Sequence, residues 1–512
     1  MINKLFLFLG ISVSVVSVKA QNQFLDPSFG TNGVVSYTPN SNNRFIYETG
    51  AVTSQQKIIV SGTYYSIPNN NQTTTNVIQR LNADGTIDNS FNTLFISPSP
   101  YGPLSRLLRM GIQSDQKILL GDLLGNKLIR LNENGTYDTG FGNNGTVDGT
   151  ILDDFVSNLG MSGLFNFNNV LVTNTNKVLV CSSIVENQVR KLAVLRLNEN
   201  GSIDTGFGNN GILLMESDSG RLVVQNDSKL VLIGQKFNGI FMKSRYSEDG
   251  ILDTTYNNNP VSYTPIPNYV TYLCTATGKD NNTYIYSFSS AAGIPTMLIT
   301  LMKLDQNGEL DNSFGTNGIV NEVYYNNNTS YYVDTNILFP TLLLDNASNL
   351  FLICTASPTG NAADTNQFIK KFKPDGSVDQ GFGSNGVVDI DLNGKEYMNS
   401  AILTPDQKIM VFGNYQTPVK GLITKILNNT NALSVKEERS KIESVGIYPN
   451  PVKNILHINS GQTKNLDAEI TDAAGRSILR IGIKDNKLNV DELQKGIYYL
   501  KIGNTTHKFI KE

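Results

Sequence analysis

Leu128-Ile-Arg-Leu-Asn-Glu-Asn-Gly135-Thr-Tyr-Asp138-Thr-Gly-Phe141-Gly-Asn-Asn-Gly145-Thr-Val decides the fold, because the chain says it again. Residues 194–214 read Val194-Leu-Arg-Leu-Asn-Glu-Asn-Gly201-Ser-Ile-Asp204-Thr-Gly-Phe207-Gly-Asn-Asn-Gly211-Ile-Leu-Leu. The centre of the unit, Asp-x-x-aromatic, recurs seven times, at Asp26/Phe29, Asp88/Phe91, Asp138/Phe141, Asp204/Phe207, Asp253/Tyr256, Asp311/Phe314 and Asp379/Phe382. Self-similarity at a period of tens of residues is the mark of a repeat architecture. A basic arm stands eight residues before six of them, at Arg80, Arg130, Arg196, Arg245, Lys303 and Lys371, and a seventh arm, Lys425, stands at the end of the repeat region. The arms lie 50, 66, 49, 58, 68 and 54 residues apart.

A second element alternates with the first: Lys57-Ile-Ile-Val-Ser-Gly62, Lys117-Ile-Leu-Leu-Gly121, Lys177-Val-Leu-Val-Cys181, Lys229-Leu-Val-Leu-Ile-Gly234 and Lys408-Ile-Met-Val-Phe-Gly413, with looser copies at Thr283–Phe288 and Asn349–Cys354. Short β-branched runs bounded by Gly, Asn and Asp read as strands, and no convincing amphipathic helix is expected. Asn-Gly and Asp-Gly pairs supply tight turns between them. The first unit would hold strands at Val34–Tyr37, Tyr47–Ser54, Lys57–Tyr65 and Asn76–Asn82. Four strands in about 40–50 residues is the size of a propeller blade, here with longer loops. The repeat region begins in mid-unit at Phe24-Leu-Asp26-Pro-Ser-Phe29 and stops in mid-unit at Leu422-Ile-Thr-Lys425. The two fragments complement each other, as they would if the ends met in a ring. The reading is an all-β, seven-bladed β-propeller over residues 21–430, with a β-solenoid as the lesser alternative.

Composition narrows the chemistry. A net charge of −3 over 512 residues gives no broad basic surface, so no nucleic-acid partner is expected. The two histidines, His457 and His507, lie near the C-terminus, which excludes His-based triads and His-ligated zinc from residues 21–435. Cys181, Cys274 and Cys354 are odd in number and far apart, and read as small buried hydrophobes. Met1-Ile-Asn-Lys4, an apolar run from Leu5 to Val18, and Lys19-Ala20 describe a signal peptide over residues 1–20. Residues 431–444 read as a polar linker. Residues 445–512 read as a small Ig-like β-sandwich.

The Arg-Leu-Asn-x-x-Gly-x-x-Asp-x-x-Phe-Gly-x-x-Gly pattern resembles the delta-60 repeat of bacterial surface proteins, a family known by its repeat and not by a reaction. Two units depart from it, with Asn92-Thr-Leu after Phe91 and Asn257-Asn-Asn-Pro260 after Tyr256, so those turns should differ in shape. The tail resembles the type A sorting domain of the type IX secretion system. Tyr448-Pro449-Asn450-Pro451, the Gly475-Arg476 centre and Gly496-Ile-Tyr498 before a final basic strand carry that likeness. It implies a Gram-negative protein that crosses the inner membrane by its signal peptide and the outer membrane by its sorting domain, with the type IX machinery as partner. The product would be secreted or held at the cell surface.

Seven equivalent aspartates invite a calcium reading, since Ca²⁺ takes about six to eight oxygen ligands. The competing reading is architectural: each Asp closes an Asx-turn and each aromatic packs between blades. No catalytic residue, metal or cofactor is assigned, with calcium as the one alternative. Tyr64, Tyr65, Tyr324, Tyr325, Tyr331 and Tyr332 are candidate binding residues, because aromatic faces beside amides suit sugars and other polar ligands. The expected function is non-catalytic binding or adhesion outside the cell, to a glycan or an envelope protein. The alternative is a carboxylate-dependent glycan hydrolase using Asp153, Asp154, Glu186, Glu216, Asp218 or Glu322, which interrupt the repeat.

Overall fold

In the computed structural model, the residues described are 23–39, 43–66, 73–96, 107–122, 127–162, 169–236, 240–262, 270–290, 296–325, 332–333, 341–357, 365–392, 394–416, 419–428, 446–459, 466–472, 476–483, 486–502 and 505–512. The chain divides into two compact units, residues 1–430 and 431–512. The expected signal peptide and linker, with Tyr331 and Gly475, lie outside the described residues.

Among the described residues the first unit builds seven antiparallel sheets. Arg44–Val52, Ile58–Ser66, Thr73–Leu81 and Leu94–Ile96 make one of them, each strand bonded to the next along the chain. The first strands of the seven sheets are Arg44–Val52, Leu107–Ile112, Asn169–Val172, Ser219–Val224, Val270–Thr277, Thr341–Leu344 and Glu396–Leu403. Each packs against the first strand of the next sheet, and Glu396–Leu403 packs against Arg44–Val52, so the cycle closes. Each sheet is apolar on both faces, and the cores lie between neighbours. Phe45, Val60 and Val77 of one sheet share a cluster with Met410, Phe412 and Ile423 of another.

Closure uses both ends of the repeat region. Val34–Tyr37 is the fourth strand of the sheet formed by Glu396–Leu403, Ile409–Gln416 and Val419–Ile426, with Val34 opposite Thr424 and Tyr37 opposite Gly421. This corrects the strand grouping expected for the first unit. Val34–Tyr37 precedes Arg44–Val52 in sequence but pairs across the closure, and Leu94–Ile96 completes the sheet that follows.

A second correction concerns helix. Gly149–Asn158 is α-helical, with the Asp148 carboxylate accepting the Thr150 N–H as N-cap. Leu152 and Val156, one turn apart, are buried beside Phe141, Val147 and Ile212. Asp-Gly-Thr-Ile-Leu-Asp-Asp-Phe-Val carries this i, i+4 pattern, but a repeat of strands on either side hides it. Among the described residues no helix is long and apolar enough to cross a membrane.

The second unit has two sheets. Gly446–Tyr448, Ile455–Asn459 and Lys487–Asn489 form one; Ser477–Ile483, Leu466–Asp472, Gly496–Ile502 and Thr505–Lys511 form the other. Leu456, Ile470, Leu500 and Phe509 are fully buried in the core they share.

Candidate functional site

The repeated residues converge on one local structure. In all seven units the Asp Oδ1 accepts the N–H of the residue two positions on: Ser28, Ser90, Gly140, Gly206, Thr255, Ser313 and Gly381, at 3.0–3.2 Å. The Asx-turn is therefore present throughout. The other oxygen, Oδ2, takes the basic arm: Arg80–Asp88 2.9 Å, Arg130–Asp138 2.7 Å, Arg196–Asp204 2.9 Å, Arg245–Asp253 3.0 Å, Lys303–Asp311 2.7 Å, Lys371–Asp379 3.3 Å and Lys425–Asp26 3.7 Å. Both carboxylate oxygens are thus engaged by this chain's own donors. Among the described residues no group of three or more His, Cys, Asp or Glu could hold a metal ion.

The second repeated element joins the same cluster. Lys57, Lys117, Lys177, Lys229 and Lys408 reach the same Oδ2 atoms at 3.0, 3.4, 3.9, 3.1 and 2.8 Å. The aromatic residues Phe29, Phe91, Phe141, Phe207, Tyr256, Phe314 and Phe382 are all buried. Arg80, Arg130, Arg196 and Arg245 lie over the rings of Phe91, Phe141, Phe207 and Tyr256 at 5.1, 4.4, 4.9 and 4.5 Å, a cation–π geometry.

The cluster also joins neighbouring units. Arg80 Nη1 donates to the Glu133 carbonyl at 2.8 Å and Arg196 Nη1 to the Glu248 carbonyl at 2.6 Å, each in the following unit. Backbone bonds run the same way, Gly142 N to Asn200 O at 2.8 Å and Gly315 N to Asp375 O at 2.7 Å. The two irregular turns keep this bond through Asn92 N and Asn257 N, because any residue but proline supplies the N–H. The turn glycine of the following unit must pass close to the ring: a Cβ on Gly135 (φ +86) would sit 2.7 Å from Phe91. Only glycine meets both demands there.

These contacts make several of the aspartates unusually acidic. Ser90 and Thr255 hydroxyls, then the nearby lysines and arginines, hold the Asp88 and Asp253 carboxyls far below the usual range, against the opposing effect of burial. A carboxyl more acidic in the folded than in the unfolded chain lends stability above its unfolded value, 3.8, and loses it as pH falls through the folded value. The melting temperature should therefore hold near neutrality and fall progressively below about pH 4. A flat melting profile between pH 5 and pH 2 would contradict the clusters as drawn.

The candidate tyrosines lie elsewhere. Every sheet has two ends. At one, the short turn joining first and second strands, such as 53–56, sits beside the Asp-x-x-Phe cluster. At the opposite end the second strand stops and the third starts, and the sequence between the two (67–72, 237–239, 291–295, 358–364 and 417–418) varies in length and composition. Tyr64 and Tyr65 occupy the last turn of Ile58–Ser66 towards that variable end, and Tyr324 and Tyr325 close Ile319–Tyr325 towards it. Tyr332 stands on the short strand Tyr332–Val333. Tyr64 is half-buried, and its hydroxyl takes the Asn43 amide at 2.5 Å. The tyrosines belong to different sheets and share an end, not a constellation.

The acidic candidates for hydrolysis are scattered. Asp153 and Asp154 lie on the helix, Glu186 pairs with Lys191, Glu216 with Lys236 at 2.8 Å, and Glu322 with Lys370 at 2.5 Å. The three cysteines form no disulfide and lie on three different strands, and burial pushes Cys181 and Cys354 up to about 12.

In the tail, Tyr448 stacks on His457 with ring centroids 5.3 Å apart. Asn450 holds one edge of the last strand at two points, its amide donating to the Lys508 carbonyl at 3.0 Å and its oxygen accepting the Ile510 N–H at 2.9 Å. The Tyr448–Pro449 and Asn450–Pro451 peptide bonds are cis. Arg476 pairs with Asp472 at 2.7 Å, and the Tyr498 hydroxyl donates to the Gln494 carbonyl at 2.9 Å. The motif residues thus tie the first and last strands of this unit together. Residues 446–512 match the family model of the secretion system C-terminal sorting domain, and residues 57–91 and 173–207 match that of a β-propeller domain of unknown function.

The chain is a β-propeller with a type IX sorting tail.

That tail marks the propeller for the cell surface or for secretion and implies contact with the type IX machinery. Beta-agarase D of Zobellia galactanivorans is 30% identical over 79 residues, 15% of this chain and 16% of that enzyme. Among solved structures, virginiamycin B lyase from Staphylococcus aureus is similar at 10% identity and a TM-score of 0.41, covering 76% of this chain and 98% of that one. The polysaccharide lyase Uly1 gives 10% and 0.43, covering 75% and 90%. PorZ, a surface component of the type-IX secretion system of Porphyromonas gingivalis, gives 9% and 0.34, covering 93% and 60%.

The first strands carry polar residues that the sequence reading passed over. Arg109 and Arg221 both stand four residues before the residue that opens the first hairpin turn, Gln113 and Gln225. That shared register, counted back from each turn, is the signal that would have found them.

Proposed function

We propose that the protein is an exported propeller whose variable-loop end binds an extracellular glycan or envelope protein without catalysis. The supporting observation is the asymmetry of the sheets. One end is committed in all seven units to an Asx-turn, a cation paired with its Asp and a buried ring, while at the other end the strands carrying Tyr64, Tyr65, Tyr324 and Tyr325 stop. Loops on a rigid scaffold are where binding usually resides. The separation of the irregular acids, with Glu186, Glu216 and Glu322 each held by a lysine, disfavours a working carboxylate pair. The repeat aspartates are structural on this reading and need no calcium.

The test uses the exported chain on a panel of soluble and insoluble polysaccharides, scoring retention and released sugar, with and without a chelator. Retention without release, insensitive to chelation and lost on changing Tyr65 and Tyr324 to Ala together, is the expected result. Released sugar would replace this reading with the carboxylate-dependent hydrolase.

A further inference from the structure

Five units carry an Asn–Gly pair three residues after the buried aromatic: Asn32–Gly33, Asn144–Gly145, Asn210–Gly211, Asn317–Gly318 and Asn385–Gly386. Such a pair is prone to modify itself, because glycine has no side chain to shield its own nitrogen. That nitrogen attacks the Asn Cγ. A new C–N bond closes a five-membered imide, and the side-chain nitrogen leaves as ammonia with the displaced proton. Water then opens the imide at either carbonyl, giving aspartate or isoaspartate. All five asparagines are exposed, so burial does nothing to prevent this.

The turns oppose it by geometry. The five asparagines have φ from +50° to +54°, in the left-handed region. Imide closure needs the glycine nitrogen swung to the same side of the Cα–C bond as Cβ. In the left-handed region that nitrogen lies nearly opposite Cβ, about as far from it as rotation allows. Paired backbone bonds hold it there. The Thr31 N–H meets the Val34 carbonyl at 2.8 Å and the Val34 N–H meets the Thr31 carbonyl at 3.2 Å, and residues 143/146, 209/212, 316/319 and 384/387 repeat the pair. These are the two-residue hairpins that Asn–Gly favours.

The nucleophile itself is also engaged. Gly33 N donates to the Phe29 carbonyl at 2.7 Å, Gly145 N to Phe141 at 2.8 Å, Gly211 N to Phe207 at 2.8 Å and Gly318 N to Phe314 at 2.9 Å. A nitrogen that donates to a carbonyl can neither shed its proton nor turn its lone pair on Cγ. The glycine cannot be exchanged to remove the hazard: at Gly33, with φ +88, a Cβ would sit 2.5 Å from that of Leu25.

We propose that these five asparagines are latent deamidation sites, closed by their turns in the folded propeller and open in the unfolded chain. Their state then records how long a chain has spent unfolded on its way out of the cell or outside it. The turns lie at the Asp-x-x-Phe end of the sheets, away from the proposed binding loops, so either reading can fail alone.

The experiment incubates the exported chain at alkaline pH, folded and in concentrated guanidinium chloride. Peptides containing the five asparagines are then scored for aspartate and isoaspartate by mass and chromatography. All five should convert in denaturant. In the folded chain each should be slower by about tenfold or more, because attack must wait for a local opening. Asp138→Ala, held well below its melting temperature, separates the turn from the fold as a whole. It loosens the segment whose Phe141 carbonyl holds Gly145, so Asn144 should convert severalfold faster while Asn32, Asn317 and Asn385 keep their parent rates. Conversion as fast in the folded chain as in denaturant, or equal acceleration at all five sites in the folded variant, overturns the proposal.

Discussion

Asp138→Ala lowers the stability of the propeller by about 3 kcal/mol, a large share of what holds a folded domain together. The substitution removes three contacts at once. The Gly140 N–H loses its acceptor at 3.2 Å, Arg130 loses its partner at 2.7 Å, and Lys117 loses a third at 3.4 Å. Arg130 is 2% exposed, so its charge is left inside the protein without a carboxylate, the costliest outcome for a broken pair. The lower end of the usual range applies because the Asp138 side chain retains 13% exposure. Phe141→Ala belongs beside it at about 3–5 kcal/mol, since a ring with no exposure is lost from under the Arg130 guanidinium. Asp138→Asn should fall between parent and Ala, because the amide oxygen still closes the Asx-turn while the charge is gone. Urea melts of the exported chain, read by circular dichroism or tyrosine emission in a protein without tryptophan, measure all three. Parent-like stability of Asp138→Ala would mean that the cluster is decoration on a ring held by its apolar cores alone.

Deleting residues 446–512 should leave the propeller folded and stop it in the periplasm. The two units have separate cores, so removal of Val452, Leu456, Ile470 and Phe509 takes nothing from the clusters between the propeller sheets. Export should fail nearly completely, since the matched sorting domain is removed whole. Fractionation of cells, with protease treatment of intact cells to score surface exposure, reads the outcome. A truncated chain still found outside would show that the export signal lies elsewhere. Asn450→Ala is the finer version, because Asn450 bonds one edge of the last strand twice, at 3.0 and 2.9 Å. It should loosen the sorting unit and reduce surface arrival without touching propeller stability.

The stabilising clusters and the proposed sites obey different rules. The Asp, arm and aromatic positions must agree in every unit, because each unit docks on the next through the same atoms. Arg130 satisfies Asp138 in its own unit, and the ring of Phe141 beneath it lies against Gly201 of the following one. Such a residue cannot drift without disturbing two sheets. The residues of the variable end carry no such duty, which leaves them able to differ from unit to unit.

The repeat, the strand periodicity, the turn chemistry and the sorting tail were all legible in the order of residues. They are local: an Asx-turn needs only Asp138 and the two residues after it, and Tyr448-Pro-Asn-Pro needs only its neighbours. The complementary half-units at Asp26 and Lys425 even foretold that the ends meet. What escaped was whatever depends on residues far apart in the chain. Val34–Tyr37 was assigned to its sequence neighbours, although its partner is Val419–Ile426 across the closure. The helix Gly149–Asn158 went unseen because its apolar stripe acquires meaning only against Phe141 and Ile212. Side-chain type and short-range geometry are written in the order of the residues. Which strands share a sheet across the closure is decided only when the ring closes, because only closure brings Val34–Tyr37 within reach of Val419–Ile426.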